Sequence, residues 1–93
     1  MAALLALPAR LTHEEAAPLV QGLEIALAGH RDPAVVADAS ALQEFDSSAL
    51  AVLLACRRLV LASGKTFAVR SLPERLRHLA GLYGVEALLP PTA

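Results

Sequence analysis

Apolar residues along this chain follow two periods in turn, and each switch is punctuated by turn residues. Ala3–Leu11 alternates weakly and contains Pro8, the pattern of a strand at a sheet edge, where a missing N–H can face solvent. Thr12-x-x-Glu15 then reads as a capping box that opens a helix, with Leu19, Val20, Leu23 and Leu27 at helical spacing. Pro18 allows two readings: either it marks the true first turn, with the helix starting near Ala17, or it bends the first two turns. Gly29 and then Arg31-Asp32-Pro33 end that helix. Ala34–Ala37 is a short apolar run bounded by turn signals, as expected of a buried central strand. A helix is predicted over Ser47–Ala62, stopped by Ser63 and Gly64, and a strand over Thr66–Arg70 with Phe67 and Val69 on one face. Pro73 is placed at the first position of a third helix whose inner stripe is Leu76, Leu79, Ala80 and Tyr83. Val85–Leu89 reads as a short last strand or an extended tail. The alternation of strand and helix predicts an α/β fold: a mostly parallel or mixed sheet of about four strands covered by three helices, in one domain spanning residues 1–93.

The second helix is the most informative element. At about 100° per residue, Ser47, Ser48, Ala51, Ala55, Arg58 and Ala62 share a sector with no large apolar side chain. The opposite arc, with Val52, Leu53, Cys56, Leu59 and Val60, is expected to face the sheet. Leu50, Leu54 and Leu61 flank the small sector. A solvent-facing strip of small residues with hydroxyls at one end and an arginine beyond suits close approach by another protein. The same strip also fits an ordinary solvated helix face.

Composition narrows the function. The chain has 93 residues, 56% of them hydrophobic but only 3% aromatic, so Leu, Ala and Val must build the core. The formal net charge is −1, which offers no electrostatic footprint for nucleic acid or an anionic membrane surface. The longest uncharged apolar stretches, such as Met1–Ala9 and Ala49–Cys56, fall far short of a membrane span, so no direct membrane insertion is expected. Met1–Ala9 lacks a basic leader and is not read as a signal peptide. Cys56 is the lone cysteine and is expected to be a small buried side chain in a reducing compartment.

Catalytic chemistry finds little to work with. Asp46 and Ser47 are adjacent, there is no G-x-S-x-G, and His13, His30 and His78 are scattered. One cysteine and three separated histidines give no metal-ligand spacing, and no glycine-rich phosphate loop is present. The chain is therefore read as a non-enzyme without metal or cofactor. Ser47, with Asp46 as the competing residue, is read as a helix cap, at a helix start that can also accept a phosphate or a partner. Arg75, Arg77 and His78 on the third helix read as a solvated face or as an extension of the partner surface.

These residues resemble the STAS domain family (sulfate transporter and anti-sigma factor antagonist). Asp38 stands where the family's strand ends in an acid, Asp46-Ser47-Ser48-Ala49-Leu50 matches its D-S-[ST]-G-L loop motif, and Gly64-Lys65-Thr66-Phe67 matches the turn into the next strand. Leu79–Val85 is similar to the last helix and its exit. The run Ser48–Leu54, Pro18 and Leu88-Leu89-Pro90 resemble the MlaB-type subfamily, the STAS subunits of bacterial phospholipid-transporting ABC complexes. Ala49 departs from the glycine usual in sigma-regulating members, and the N-terminus is short for the family's opening hairpin, so an edge strand is expected to be missing or truncated. The resemblance implies a cytoplasmic regulatory subunit, held at the inner membrane through a transporter ATPase. Asp46, Ser47, Ser48, Ala51, Ala55 and Arg58 would form the contact. The other implied reading is an anti-sigma factor antagonist that binds a serine kinase anti-sigma factor and is phosphorylated on Ser47.

Overall fold

The computed structural model describes residues 2–29 and 31–92. His30, one of the three scattered histidines, lies outside them. Five strands and three helices follow in the order β1 (Ala2–Ala6), β2 (Arg10–Leu11), α1 (His13–Ala28), β3 (Ala34–Asp38), β4 (Glu44–Phe45), α2 (Ser48–Ala62), β5 (Thr66–Arg70) and α3 (Glu74–Leu82). A 3₁₀ turn at Glu86–Leu88 follows.

The main sheet has the order β1-β3-β5 with both pairings parallel, so Ala34–Asp38 is the central strand, as its apolar run predicts. The register sets Ala3, Val35 and Phe67 in one row and Leu5, Ala37 and Val69 in the next. Side chains alternate across a strand, so both rows share a face. All six residues are buried. Leu23 and Leu27 of α1, Val52, Leu53, Cys56 and Val60 of α2, and Leu76 and Ala80 of α3 belong to the same buried cluster. The opposite face is more open: Leu4 is 51% exposed, and its row-mates Val36 and Ala68 are half-buried.

Several elements differ from the sequence reading. The N-terminal strand is not continuous to Leu11: β1 ends at Ala6, Pro8 lies in the link, and β2 is a separate two-residue strand paired in parallel with β4. Helix α1 starts at His13 and runs through Pro18, so Pro18 does not mark its start. The proline leaves the carbonyl of Glu14 without its intrahelical N–H, and both residues are exposed, so water can take the bond. Pro73 precedes α3 instead of occupying its first position. Tyr83 is not on the inner stripe: it ends α3 and is 61% exposed. Val85–Leu89 forms the 3₁₀ turn instead of a strand. Strand-like pairing comes later, where Pro91 bridges Val69 in parallel and the Val69 N–H donates to the Pro90 carbonyl at 2.8 Å. This short bridge is the nearest equivalent of a fourth strand beside β5.

Burial separates structural from surface positions on the helices. Leu53 is fully buried, whereas Ile25 of α1 is 78% exposed. Leu53→Ala is expected to cost about 2–5 kcal/mol, through lost transfer energy and the cavity left behind. Ile25→Ala should stay within about 0.5 kcal/mol of the parent. Urea unfolding of both variants, with the slope unchanged, checks the difference.

Candidate functional site

Two parallel residue pairs bring the site together. β2 leads directly into α1 and β4 leads directly into α2, and their register pairs Arg10 with Glu44 and Leu11 with Phe45. The N–H groups of Gln43 and Glu44 both donate to the Ala9 carbonyl, at 2.8 and 2.9 Å. One step further along, Thr12 and Asp46 enter the two helices side by side.

Each helix start is capped in its own way. At α1 the predicted capping box forms: the Thr12 hydroxyl accepts from the Glu14 N–H, while the Glu15 carboxylate accepts from the Thr12 N–H at 2.8 Å and from its hydroxyl at 2.7 Å. The bond from the Thr12 backbone is the main reason the Glu15 pKa is lowered. At α2 the backbone of Ser47 is already helical, with φ −62° and ψ −16°, and its hydroxyl makes no capping bond. Asp46 is the cap instead. Its Oδ1 accepts from the Ser48 N–H at 2.8 Å, and the Ala49 N–H donates to its carbonyl at 3.0 Å.

The same carboxylate reaches across to α1. Asp46 Oδ2 accepts from the His13 N–H at 3.2 Å and lies 3.4 Å from His13 Nδ1, an ion pair when the imidazole is protonated. Asp46 therefore bonds the first N–H of α1 as well as an N–H in the first turn of α2, where both helix dipoles favour negative charge. Its pKa is lowered, first by the Ser48 backbone bond and then by that of His13, against a smaller desolvation effect in between. Beside it, the half-exposed Arg10 guanidinium lies 3.5 Å from each of Glu14, Glu15 and Glu44, an exposed network that adds little stability. Arg75 of α3 stacks over the Phe45 ring at 4.7 Å, which ties α3 to the segment just before Asp46.

Below the paired helix starts, α1 and α2 pack against each other and leave an apolar cleft of about 420 Å³ lined by Ala16, Ala17, Val20, Gln21, Ala51 and Val52. This corrects the reading of the small sector. Ser47, Ala51, Arg58 and Ala62 are exposed and Ser48 is half-buried, but Ala55 is only 8% exposed. Ala51 lines the cleft beside α1, and Ala55 is a packing position and not a solvent-facing one. On the sheet-facing arc, Val52, Leu53, Cys56 and Val60 are buried and Leu59 is half-buried, as predicted, and the flanking Leu50 is buried too. The α1 side of the cleft and the His13 contact were missed, since no local signal joins residues 33 apart.

Asp38 ends β3 as expected, yet its carboxylate turns back onto its own loop and accepts from the Ser40 N–H at 3.0 Å. That bond is the main cause of its lowered pKa. Arg75, Arg77 and His78 are exposed on α3. Burial pushes the Cys56 thiol up to about 11. Among the described residues, no cluster of His, Cys, Asp and Glu could hold a metal ion, and no helix is long and apolar enough to cross a membrane.

Comparison with known proteins gives two findings. The sequence model of a family described as MlaB, STAS domain matches residues 2–90. The fold is similar to the crystal structure of a protein from Thermotoga maritima described as an anti-sigma factor antagonist, with a TM-score of 0.77 and 18% identity over 95% of this chain and 77% of that one. No curated protein matches the sequence.

The geometry assigns different roles to neighbouring residues. Asp46→Ala should lower the melting temperature, because two helix-terminal N–H groups lose their acceptor, while Ser47→Ala should leave it within about 0.5 kcal/mol of the parent. The Asp46 contribution is present above its unfolded pKa and fades as pH falls through the lower folded value, so the two proteins should converge in acid. Ala55→Arg should destabilise the chain by about 1–3 kcal/mol or more through overpacking. Thermal melts between neutral and acidic pH test all three expectations.

Proposed function

The chain belongs to the MlaB-type STAS domain family, and from that premise we propose that it is a non-catalytic subunit that docks on the ATPase of a phospholipid-transporting ABC complex. STAS domains of this kind are generally binding modules without catalysis. On this reading the whole chain acts as one domain and needs no cofactor. It works on the cytoplasmic side of the inner membrane, held there by its partner, and biases the assembly or activity of the ATPase that maintains outer-membrane lipid asymmetry.

One observation carries the reading. At the start of α2, the capping task falls to Asp46, which leaves the exposed Ser47 hydroxyl without a capping bond, one turn from the cleft position Ala51. A hydroxyl not spent on its own helix is available to another protein. Asp46 shapes the contact, Ser47, Ser48 and Ala51 would form its centre, and Arg58 extends it along the helix. Ala55, being buried, would support the contact from beneath rather than touch the partner.

The same free hydroxyl supports a second reading. An anti-sigma factor antagonist would present Ser47 to a serine kinase, whose ATP would supply the phosphoryl group to Oγ and leave as ADP. The helix start would favour the added charge. The MlaB-type family match favours the transporter reading.

Co-purification of the tagged chain from its native cell should yield an ABC ATPase; recovery of a small serine kinase instead would favour the switch. Ala51→Arg should fold normally and weaken ATPase binding at least tenfold, about 1.4 kcal/mol. Ser47→Ala should weaken it with no loss of stability, and Ser47→Asp should weaken it further, because an unpaired carboxylate in a contact is costly. Stoichiometric phosphate on Ser47 after incubation with ATP and native lysate would overturn the transporter reading.

A further inference from the structure

We infer that the cleft between β5, α3 and residues 89–92 binds a free apolar α-amino acid, with its carboxylate on Arg77, its ammonium group on Glu86 and its side chain against the apolar wall. The local fold builds this cleft from separate segments. α3 ends in a reversal through Gly84, whose φ of 72° suits a residue without a Cβ, and the Val85 N–H donates to the Ala80 carbonyl at 2.9 Å. The reversal packs the 3₁₀ turn against α3, and Glu86 and Arg77 come to line one cleft. The chain then reaches β5, where the Val69 N–H donates to the Pro90 carbonyl and the Thr92 N–H to the Val69 carbonyl at 3.2 Å. The space enclosed is about 270 Å³, lined by Val69, Leu72, Arg77, Glu86, Leu89 and Pro91.

The lining selects the ligand. Val69 and Leu89 are buried and Leu72 is half-buried, and with Pro91 they make a wall whose side chains carry no hydrogen-bonding group. Arg77 and Glu86 are exposed, and among the described residues neither forms an ion pair, with each other or with a third group. Arg10, by contrast, is surrounded by three glutamates. The cleft therefore presents two opposite charges that do not neutralise each other. A simple anion would be repelled by the Glu86 carboxylate and a simple cation by the Arg77 guanidinium, whereas a zwitterion satisfies both. An α-amino acid holds both charges on one carbon atom and leaves its side chain free for the wall. The guanidinium offers a fork of N–H donors that matches a carboxylate. Pockets for drug-sized ligands span roughly 300–1,000 Å³, so this smaller space restricts the ligand to a single residue. The site shares no residue with the docking surface on α2, so either proposal can fail without the other.

An NMR titration of the full chain with L-leucine tests the site. Saturable shifts are expected at the methyl groups of Val69, Leu72 and Leu89. Isocaproate lacks the ammonium group, isopentylamine lacks the carboxylate and glycine lacks the side chain, so each should bind at least tenfold more weakly. Arg77→Gln and Glu86→Gln are at exposed positions and should keep the melting temperature of the parent. Each should weaken leucine binding at least tenfold. Arg77→Gln should also remove the preference for leucine over isopentylamine, and Glu86→Gln the preference for leucine over isocaproate. Three results would each overturn the proposal: no saturable shift up to the solubility of leucine, isocaproate or isopentylamine binding as tightly as leucine, or leucine binding unchanged in either variant.

Discussion

Everything near the candidate site depends on one carboxylate shared between two helix starts. Asp46 accepts from the Ser48 N–H on its own helix and from the His13 N–H on the other. Helix N-termini leave backbone donors unpaired, and each normally requires its own acceptor. Here the parallel pairing of β2 with β4 delivers both termini to the same place, and Asp46 serves the two together. The arrangement fixes where α1 and α2 begin relative to each other. It also frees Ser47, because a residue with helical backbone angles one step inside the cap has no capping left to do.

The cleft follows from that alignment. With their starts tied, α1 and α2 run side by side, and small residues at the contact set how close they come. Ala51 and Ala16 line the cleft from the two sides, and Ala55, one turn further along α2, is buried. Small side chains on one helix face are ambiguous in isolation: they permit a neighbouring helix of the same chain or a helix of another protein. In this chain the strip divides. The inner position serves its own packing, and the positions nearer the helix start remain accessible.

Much of this was legible in the sequence because it is written locally. The capping box of Thr12 and Glu15, the buried run at Val35 and Ala37, and the sheet-facing arc of α2 each rest on neighbours within a few residues, and each is found in the structure. The resemblance carried by Asp46–Leu50 also led to the family that the matched sequence model identifies. What could not be read depends on contacts between distant segments. Ala55 looks the same in the sequence whether protein or water covers it. Tyr83 has helical spacing for the inner stripe, but α3 ends before its ring can turn inward. Ser47 and Asp46 both favour caps; in the structure Asp46 takes the Ser48 N–H, and it also holds the His13 N–H from 33 residues away, a contact no local pattern signals. Pro18 left open a helix start near Ala17 or a bend in the first two turns; the capping box upstream sets the start at His13, and Pro18 sits inside the helix at an exposed position where a lost hydrogen bond is cheap.

The shared carboxylate can be observed directly. In an NMR pH titration, the amide protons of His13 and Ser48 should shift together as Asp46 is protonated, with one common midpoint below the ordinary aspartate value. The Ser47 amide should follow only weakly. If His13 and Ser48 titrate with separate midpoints, or if either amide ignores Asp46, one group does not hold both helices and the account of the site fails.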